Sequence, residues 1–564
     1  MGVNEPGERS QLTSENASDS RTYRTIDKPA DTPESDLLSP TESEFLNAGA
    51  GERNHDDSNK QPKQSSIWGV VWILLLGEFV SHADGTITFA SAGRISSEFN
   101  ALPDANWLAT AYSLGVCAAM PMYGKLSDIY GRKNILLLAY SFFGIGSVLC
   151  GIGVQMWHVV LGRAVMGLGG AGMATLAAII ITDIVPRRDI ATWRAYVNIA
   201  STLGRAAGGP IGGALTDLVG WRWLFTGQAI FIAMAALLTI LKLNISREPH
   251  LDNQEEPASS KSKLARIDFI GTFFLSASVV SGITLLDIGG KKFSWTSPYT
   301  ISLGVASLVL LIAFVLTEAF WAREPIFSLR ILRQPNVIAS YLVMTFQVLA
   351  QVGMMYTIPL YFQVTGRAST SSAGAHLVPA VVGNAVAGIV AGVFIKRTGR
   401  YRGLTIVAGL IAAVTYILEY FRWNGNTNWW ESLYIIPGGI GTSIAQAASF
   451  VSMTSRLEQS DIAMATSGIF LLSQVGVSAS ITANNAALES EFKNQLQRKI
   501  TGEGAEHIIE RILSDVSYIN QLTGNLREIV VSSYVQGLKY TYVFSLISST
   551  LASISGLMIR NHQL

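Results

Sequence analysis

The sequence predicts an all-α membrane protein, with two six-helix bundles and two extra helices between them, about fourteen membrane-crossing helices in all. Three observations lead there. The chain is 49% hydrophobic and only 14% charged over 564 residues, with a mean hydropathy of +0.33, whereas a soluble domain carries about a quarter charged residues. Apolar runs of about twenty residues, the length that spans a bilayer, recur from Ile67 onward. A pattern of Gly, six residues, Gly-Arg also occurs twice, in "GKLSDIYGRK" (124–133) and "GVFIKRTGRY" (392–401).

Composition excludes several classes. The net charge of +1 leaves no basic footprint for nucleic acid. Cys117 and Cys150 both lie in apolar runs, so no disulfide framework or cysteine metal site is expected. No HExxH or similar spacing arises from the seven histidines, and no GxxxxGK[ST] sequence is present. The chain is therefore read as neither an enzyme nor an ATP-driven machine, with no cofactor and no metal. A monomer is expected.

Residues 1–66 are rich in Ser, Glu, Asp, Asn, Thr and Pro, and are predicted to form a disordered cytosolic tail. With no signal peptide in it, the first internal apolar segment is expected to direct insertion. "PESDLLSP" (33–40) places acids before Leu37-Leu38 and resembles a dileucine sorting signal. The candidate spans then run at 67–89, 105–123, 134–154, 157–181, 193–216, 223–243, 268–288, 299–320, 337–362, 373–395, 404–421, 433–452, 463–488 and 538–558. They divide into an N-terminal bundle (67–243), a linker with two inserted helices (244–336) and a C-terminal bundle (337–564). The last bundle has a long non-cytosolic loop at 489–537, where "IIERILSDVSYINQL" reads as a short helix in a solvated loop, or as an amphipathic helix over the exit. Trp193, Trp221, Trp223, Trp295, Trp321, Trp429 and Trp430 fall near span ends and are read as interfacial anchors.

Loop charge sets orientation. With the tail cytosolic, loops on that side hold nineteen Lys and Arg, among them Lys125, Arg132, Lys133, Arg187, Arg188 and Lys396, against six in the opposite short loops. The positive-inside rule then puts both termini in the cytosol.

The repeat aligns Gly124 with Gly392, Gly131 with Gly399 and Arg132 with Arg400, each time between the second and third span of a six-span block. Such duplication is how parallel transporter halves look in sequence. Two halves that seal and part at one end need reversible ion pairs and close helix contacts there. Asp128, Arg132 and Lys133 supply the charges, Gly124 and Gly131 the closeness, and Leu126 completes the apolar side. Plain positive-inside anchoring accounts for the cations and leaves Asp128 and the glycines unexplained.

Intramembrane ionisable residues are functional candidates by default. Glu78, His82 and Asp84 all fall in the first span. Glu78 and His82 share a face, and Asp84 is rotated by roughly 120° from Glu78. Burial favours the neutral form of a carboxyl, which makes Asp84 the candidate proton carrier; the bland alternative is that it caps the span end. Arg163, one turn into the fourth span, is a natural partner for such an acid or for an anionic group on a substrate, or else a snorkelling arginine. Gln347, Gln351 and Asn384, with Tyr356, Tyr361, Gln446, Gln474, Asn484 and Asn485, either face a cavity or bond helices together. Arg205 has no evident role.

"GKLSDIYGRK" resembles the motif between spans two and three of the major facilitator superfamily. "LGRAVMGLGGAG" (161–172) resembles its span-four motif, with Arg163 at the arginine. "GRAAGGPIGGALTDLVGWRW" (204–223) resembles the span-five antiporter motif: Gly204, Gly208, Gly212 and Gly213 align, Gly209 stands where the family has proline, and proline follows at Pro210. "HADGTI" (82–87) is similar to span one of fourteen-span drug:proton antiporters, although "TFASAGRISSEF" after it departs from their pattern. "GGPIGG", "GWRWLFTGQ" and "IPLYFQVTG" look most like fungal vacuolar basic amino-acid permeases. The resemblance implies a proton-coupled antiporter of small organic solutes, with basic amino acids moved into the vacuole across the vacuolar membrane. Drug or metabolite efflux at the plasma membrane and a non-transporting receptor on the same fold are the alternatives. The partners implied are a small-molecule substrate, protons and the lipid bilayer.

Overall fold

The computed structural model of the protein describes residues 64–99, 101, 107–243, 268–289, 293–321, 329–368, 370–500, 505–514, 519 and 521–561. The tail up to residue 63, its dileucine-like pair and linker residues 244–267 lie outside the described residues. Among the described residues there is no β-strand, and fourteen α-helices of 19 to 41 residues follow one another. They are α1 (Gln64–Glu98), α2 (Trp107–Tyr130), α3 (Arg132–Gly151), α4 (Met156–Ile184), α5 (Ile190–Leu218), α6 (Trp221–Lys242), α7 (Phe269–Ile288) and α8 (Pro298–Phe320). α9 (Pro335–Gly366), α10 (Val378–Thr398), α11 (Arg402–Arg422), α12 (Ile436–Thr454), α13 (Gln459–Lys499) and α14 (Gly524–Leu557) complete the series.

Among the described residues, nine of the helices are long and apolar enough to cross a membrane by length and composition. α2, α5, α7, α12 and α14 fall outside that group; in α12 and α14, Gly, Ala, Ser and Thr occupy much of the buried face. A helix wrapped by other helices needs close backbone approach more than lipid-grade side chains. α1–α6 pack on one another and α9–α14 on one another. α7 lies against both sets: Ser276 Oγ donates to Ala118 O of α2 at 2.7 Å, and Thr482 Oγ1 of α13 donates to Leu286 O at 2.9 Å. α8 is tied to α7 by reciprocal bonds between Ser278 and Ser307 and exposes Leu308, Ile312 and Leu316 along its outer face.

The α1–α5 contact shows how sequence spacing sets packing. Gly204, Gly208 and Gly212 step along α5 every fourth residue and meet Phe79, Ala83 and Ile87, spaced identically on α1. A Cβ on Gly204 would stand 2.5 Å from Phe79 O, and one on Gly212 2.9 Å from Ile87 Cα. Gly209 and Gly213 point to open space. The packing face of the span-five motif is thus 204/208/212, and the shift of proline from 209 to 210 leaves it intact.

Two of the expected tryptophan anchors are core residues. Trp193 is buried with its ring 4.7 Å from that of Trp68. Trp221 is buried and donates through Nε1 to Glu98 Oε2 at 2.6 Å, beside Arg222, which donates to Glu98 Oε1 at 2.6 Å. Each indole sits where an aromatic stack or a carboxylate satisfies it, which is what draws it inward. Trp223, Trp295, Trp321, Trp429 and Trp430 are exposed.

The 489–537 region is more ordered than a solvated loop. α13 continues through Lys499 and α14 begins at Gly524. Between them a helix over Ala505–Ser514 buries Ile509 and Ile512, joined by Ile519 and Leu522, against Leu488, Leu496 and Tyr534. Arg367, with a left-handed φ of 51°, donates to Leu522 O at 3.0 Å, while Arg527 donates to Val364 O and Thr365 O at 3.3 Å. Arg527 therefore sits on the carbonyl end of α9, where the helix dipole favours a cation.

Two outcomes follow from this packing. Gly208→Val is expected to force α1 and α5 apart and cost ~1–3 kcal/mol, read as a lowered apparent Tm of the purified protein, while Gly213→Ala leaves the Tm unchanged or raised. The indole hydrogen bond, then the guanidinium, hold the Glu98 carboxyl below its ordinary range. A depressed carboxylate contributes stability above its unfolded pKa and loses it as pH falls through the folded value. Thermal unfolding across the acid range should therefore show a pH-dependent component that Glu98→Gln removes.

Candidate functional site

Asp84 lies in the middle of α1 rather than at its end. It is fully buried and pairs with Arg163 of α4, whose Nη1 stands 2.5 Å from Asp84 Oδ2. Arg163 also donates through Nε to Leu108 O at 3.0 Å, and its guanidinium lies 4.6 Å from the centre of the Tyr112 ring. Glycines let the helices close on it: Gly167 of α4 abuts Tyr112 O of α2, and Gly115 of α2 abuts Ala164 O of α4. The arginine is therefore an interior partner, not a snorkelling side chain. Asp84 Oδ1 has no hydrogen-bond partner among the described residues. A proton arriving there would neutralise the carboxylate and weaken its hold on Arg163.

Glu78 and His82 form a separate cluster, within two turns of Asp84 toward the start of α1. His82 Nε2 is 3.1 Å from Glu78 Oε2, and Ser201 of α5 donates to the same oxygen at 3.3 Å. Arg205, which had no role in the sequence reading, reaches His82 Nδ1 at 3.4 Å. A second α5 cation, Arg194, stacks 4.3 Å over Phe450 of α12 and 5.3 Å from Phe470 of α13, crossing from one helix set to the other.

The amides divide. Asn198 of α5 donates to Asn384 Oδ1 at 2.7 Å and to Ser443 Oγ at 3.2 Å, with Thr202 also reaching Asn384 at 3.4 Å, so Asn384 bridges α5, α10 and α12. Gln347 donates to Thr442 at 3.1 Å and Tyr356 donates to Asn485 at 2.5 Å, which bind helices to one another, while Asn484 bonds back to Ser480 within α13. Gln351 is buried beside them on α9.

At the end of the bundle that carries the basic loops, the motif residues tie the two sets together. Arg132 donates to Asp128 at 2.6 Å, to Ser127 at 2.5 Å and to Asp183 of α4 at 2.8 Å. Asp183 in turn accepts from Gln459 of α13 at 2.9 Å. Arg187 reaches the carbonyls of Ser455 and Leu457, and Lys396 pairs with Asp189 at 2.9 Å. Lys133 caps the last turn of α6 through Ile240 O at 2.8 Å. Gly124 abuts Ala463 O and Ser467 of α13, while its repeat partner Gly392 abuts Thr192 of α5. Gly131 and Gly399 both hold positive φ, at 89° and 67°, which L side chains rarely adopt. Leu126 is half-buried against the core of α1–α6. Arg400, in contrast to Arg132, is exposed. Asp183, Asp189 and Asn198 were not singled out from the sequence, since each stands near a span end where a polar residue is ordinary, and Arg194 counted there only among the cytosolic loop cations.

Breaking a buried pair by removing one partner costs about 3–5 kcal/mol. Arg163→Met strands the Asp84 charge, whereas Asp84→Asn leaves a neutral amide beside the guanidinium. Thermal unfolding should show the larger loss in Arg163→Met, and the double variant should recover part of it.

Comparison with known proteins follows the same lines. The model of the Major Facilitator Superfamily matches residues 74–481. The chain is 29% identical over 499 residues to the vacuolar membrane amino acid uptake transporter fnx2 of Schizosaccharomyces pombe, covering 88% of this chain and 85% of that protein. It is 30% identical over 494 residues to the multidrug resistance protein fnx1 of the same organism, covering 87% and 91%. With vacuolar basic amino acid transporter 2 of Saccharomyces cerevisiae it shares 26% over 458 residues, covering 80% and 96%. The solved human organic anion transporter MFSD10 superposes with a TM-score of 0.54 at 12% identity over 86% of this chain and 99% of that one, a likeness of fold. The chain belongs to the Major Facilitator Superfamily of membrane transporters.

Proposed function

We propose that the protein is a proton-coupled antiporter that carries basic amino acids into the vacuole. The observation that carries this reading is the buried Asp84–Arg163 pair with one carboxyl oxygen left unpartnered. A carboxylate that binds either a proton or a cationic group, but not both, makes the two exclude each other, and that exclusion is what couples them in opposite directions. Glu78 and Arg205 add one anionic and one cationic group on the same α1–α5 seam, complementary to the ammonium and carboxylate ends of an amino acid. α1–α6 and α9–α14 act as the two rocking bundles. With the basic end in the cytosol, as loop charge favours, the ties among Arg132, Asp183, Gln459, Arg187, Lys396 and Asp189 close the cytosolic side. The relatives that transport amino acids at the vacuolar membrane support this cargo and address. The 30% identity to a multidrug resistance protein supports the second reading, efflux of drugs or metabolites at the plasma membrane.

The deciding assay is uptake of labelled lysine, arginine and histidine into proteoliposomes with an acidic lumen. Accumulation that a protonophore collapses, and that falls by at least tenfold in Asp84→Asn, is the expected result. Proton-driven movement of a cationic dye without amino-acid flux would replace this reading with efflux. Movement of neither would leave a receptor on the transporter fold.

A further inference from the structure

The C-terminal bundle buries an acid that the proposed exchange site does not use. Glu419 stands in the last turn of α11 and is fully buried. Neither of its carboxyl oxygens has a hydrogen-bond partner among the described residues. Tyr416, one turn earlier, and Tyr542 of α14 lie within electrostatic reach of it. Both hydroxyls are likewise buried without a partner, as is the indole Nε1 of Trp423, one turn later. The Trp423 ring stacks on Tyr361 at 4.8 Å and meets Tyr542 edge-on at 6.4 Å, which gathers three aromatic rings at this end of α11.

Among the described residues, no cation pairs with this carboxyl. α12, packed along α11, contains no ionisable residue. On α14, Lys539 lies 5.5 Å over the ring of Tyr420, which is on the exposed side of α11, and the inward group is Tyr542. At the turn over Trp429–Ile435, Glu431 is already paired with Arg422 at 2.9 Å, and Tyr434 lies beside that same arginine. His376, from the preceding loop, is 2.6 Å from Ser432. An ionised carboxylate buried without a counter-charge or hydrogen bond is far costlier than the neutral acid.

We infer that Glu419 is a second proton-binding site, distinct from Asp84, which holds its proton in this conformation and gives it to water when the aromatic packing around it loosens. The chemistry suits a two-state acid. With the donors apart from it, the carboxyl is stable only as the acid. When Tyr416, Tyr542 and Trp423 turn toward it, two O–H groups and one N–H can stabilise the anion. The proton leaves as a hydronium ion and the carboxylate remains, so charge balances without a further reactant.

Protonation of Glu419 stands on its own; only its place in the transport cycle rests on the proposed proton coupling. Infrared difference spectroscopy of the purified full-length protein through a pH step reads the carbonyl stretch of protonated carboxylic acids. The wild type should show such a band at neutral pH that Glu419→Gln removes and Asp84→Asn retains. The double variant Tyr416→Phe/Tyr542→Phe, which keeps the acid and deletes two donors, should shift loss of the band to higher pH; it also serves if Glu419→Gln does not fold. An identical spectrum in Glu419→Gln across the pH range where the protein stays folded would overturn the inference. In proteoliposomes, Glu419→Gln should release one proton fewer per lysine moved while flux persists. Loss of lysine binding with an unchanged infrared band would instead make Glu419 a solute-binding carboxylate. Absence of flux in the wild type would sink the exchange reading and leave the infrared result standing.

Discussion

A charge that leaves water for the interior of a helical bundle must meet a counter-charge there, and the Asp84–Arg163 pair is where this protein meets that constraint. The guanidinium is satisfied by one carboxylate oxygen, one helix carbonyl and an aromatic face. Those three partners come from α1 and α2, so α4 must lie within reach of both at once. Gly115 and Gly167 make the α2–α4 approach possible, and Gly204, Gly208 and Gly212 bring α5 against the neighbouring face of α1. The glycine faces are thus the condition under which a buried ion pair can be short enough to be tolerated.

At the basic end the energetics are of another kind. Asp128, Arg132, Asp183, Lys396 and Asp189 are all partly exposed. Pairs in such settings contribute about 0–1 kcal/mol each. Several of them with a few helix-end contacts hold two helix sets together firmly enough to define a state, yet weakly enough to release it. Gly124 and Gly392, each against a helix of the other set, permit the contact without adding strong attraction.

The two halves share a pattern and differ in what they do with it. The duplicated motif retains both glycines, the second with positive φ, in each copy, but the arginines differ: Arg132 pairs with Asp128 and Asp183, whereas Arg400 is exposed and the second copy's ion pair is that of Lys396 with Asp189. The paired interior charges gather in α1–α6. The second half is held by amide and hydroxyl bonds, an apolar helical cap over Leu488 and Tyr534, and the uncompensated acid Glu419.

The sequence by itself determined the class, the succession of fourteen helices and the family, because hydrophobic length and short motifs are local properties of the chain. It also brought Asp84, Glu78, His82 and Arg163 forward, since an ionisable residue in an apolar run stands out one residue at a time. Which of them pair was a tertiary decision: Arg163 is 79 positions from Asp84, and only the α1–α2–α4 packing brings them within hydrogen-bonding distance. The same holds for Arg205 on His82, for Trp193 and Trp221 turning inward, and for Asn384 bridging to α5. Glu419, a lone acid in "TYILEYF", was not singled out from the sequence, where nothing local marks its isolation. Whether a buried charge has a partner depends on what faces it from other helices, and that is a property of the fold.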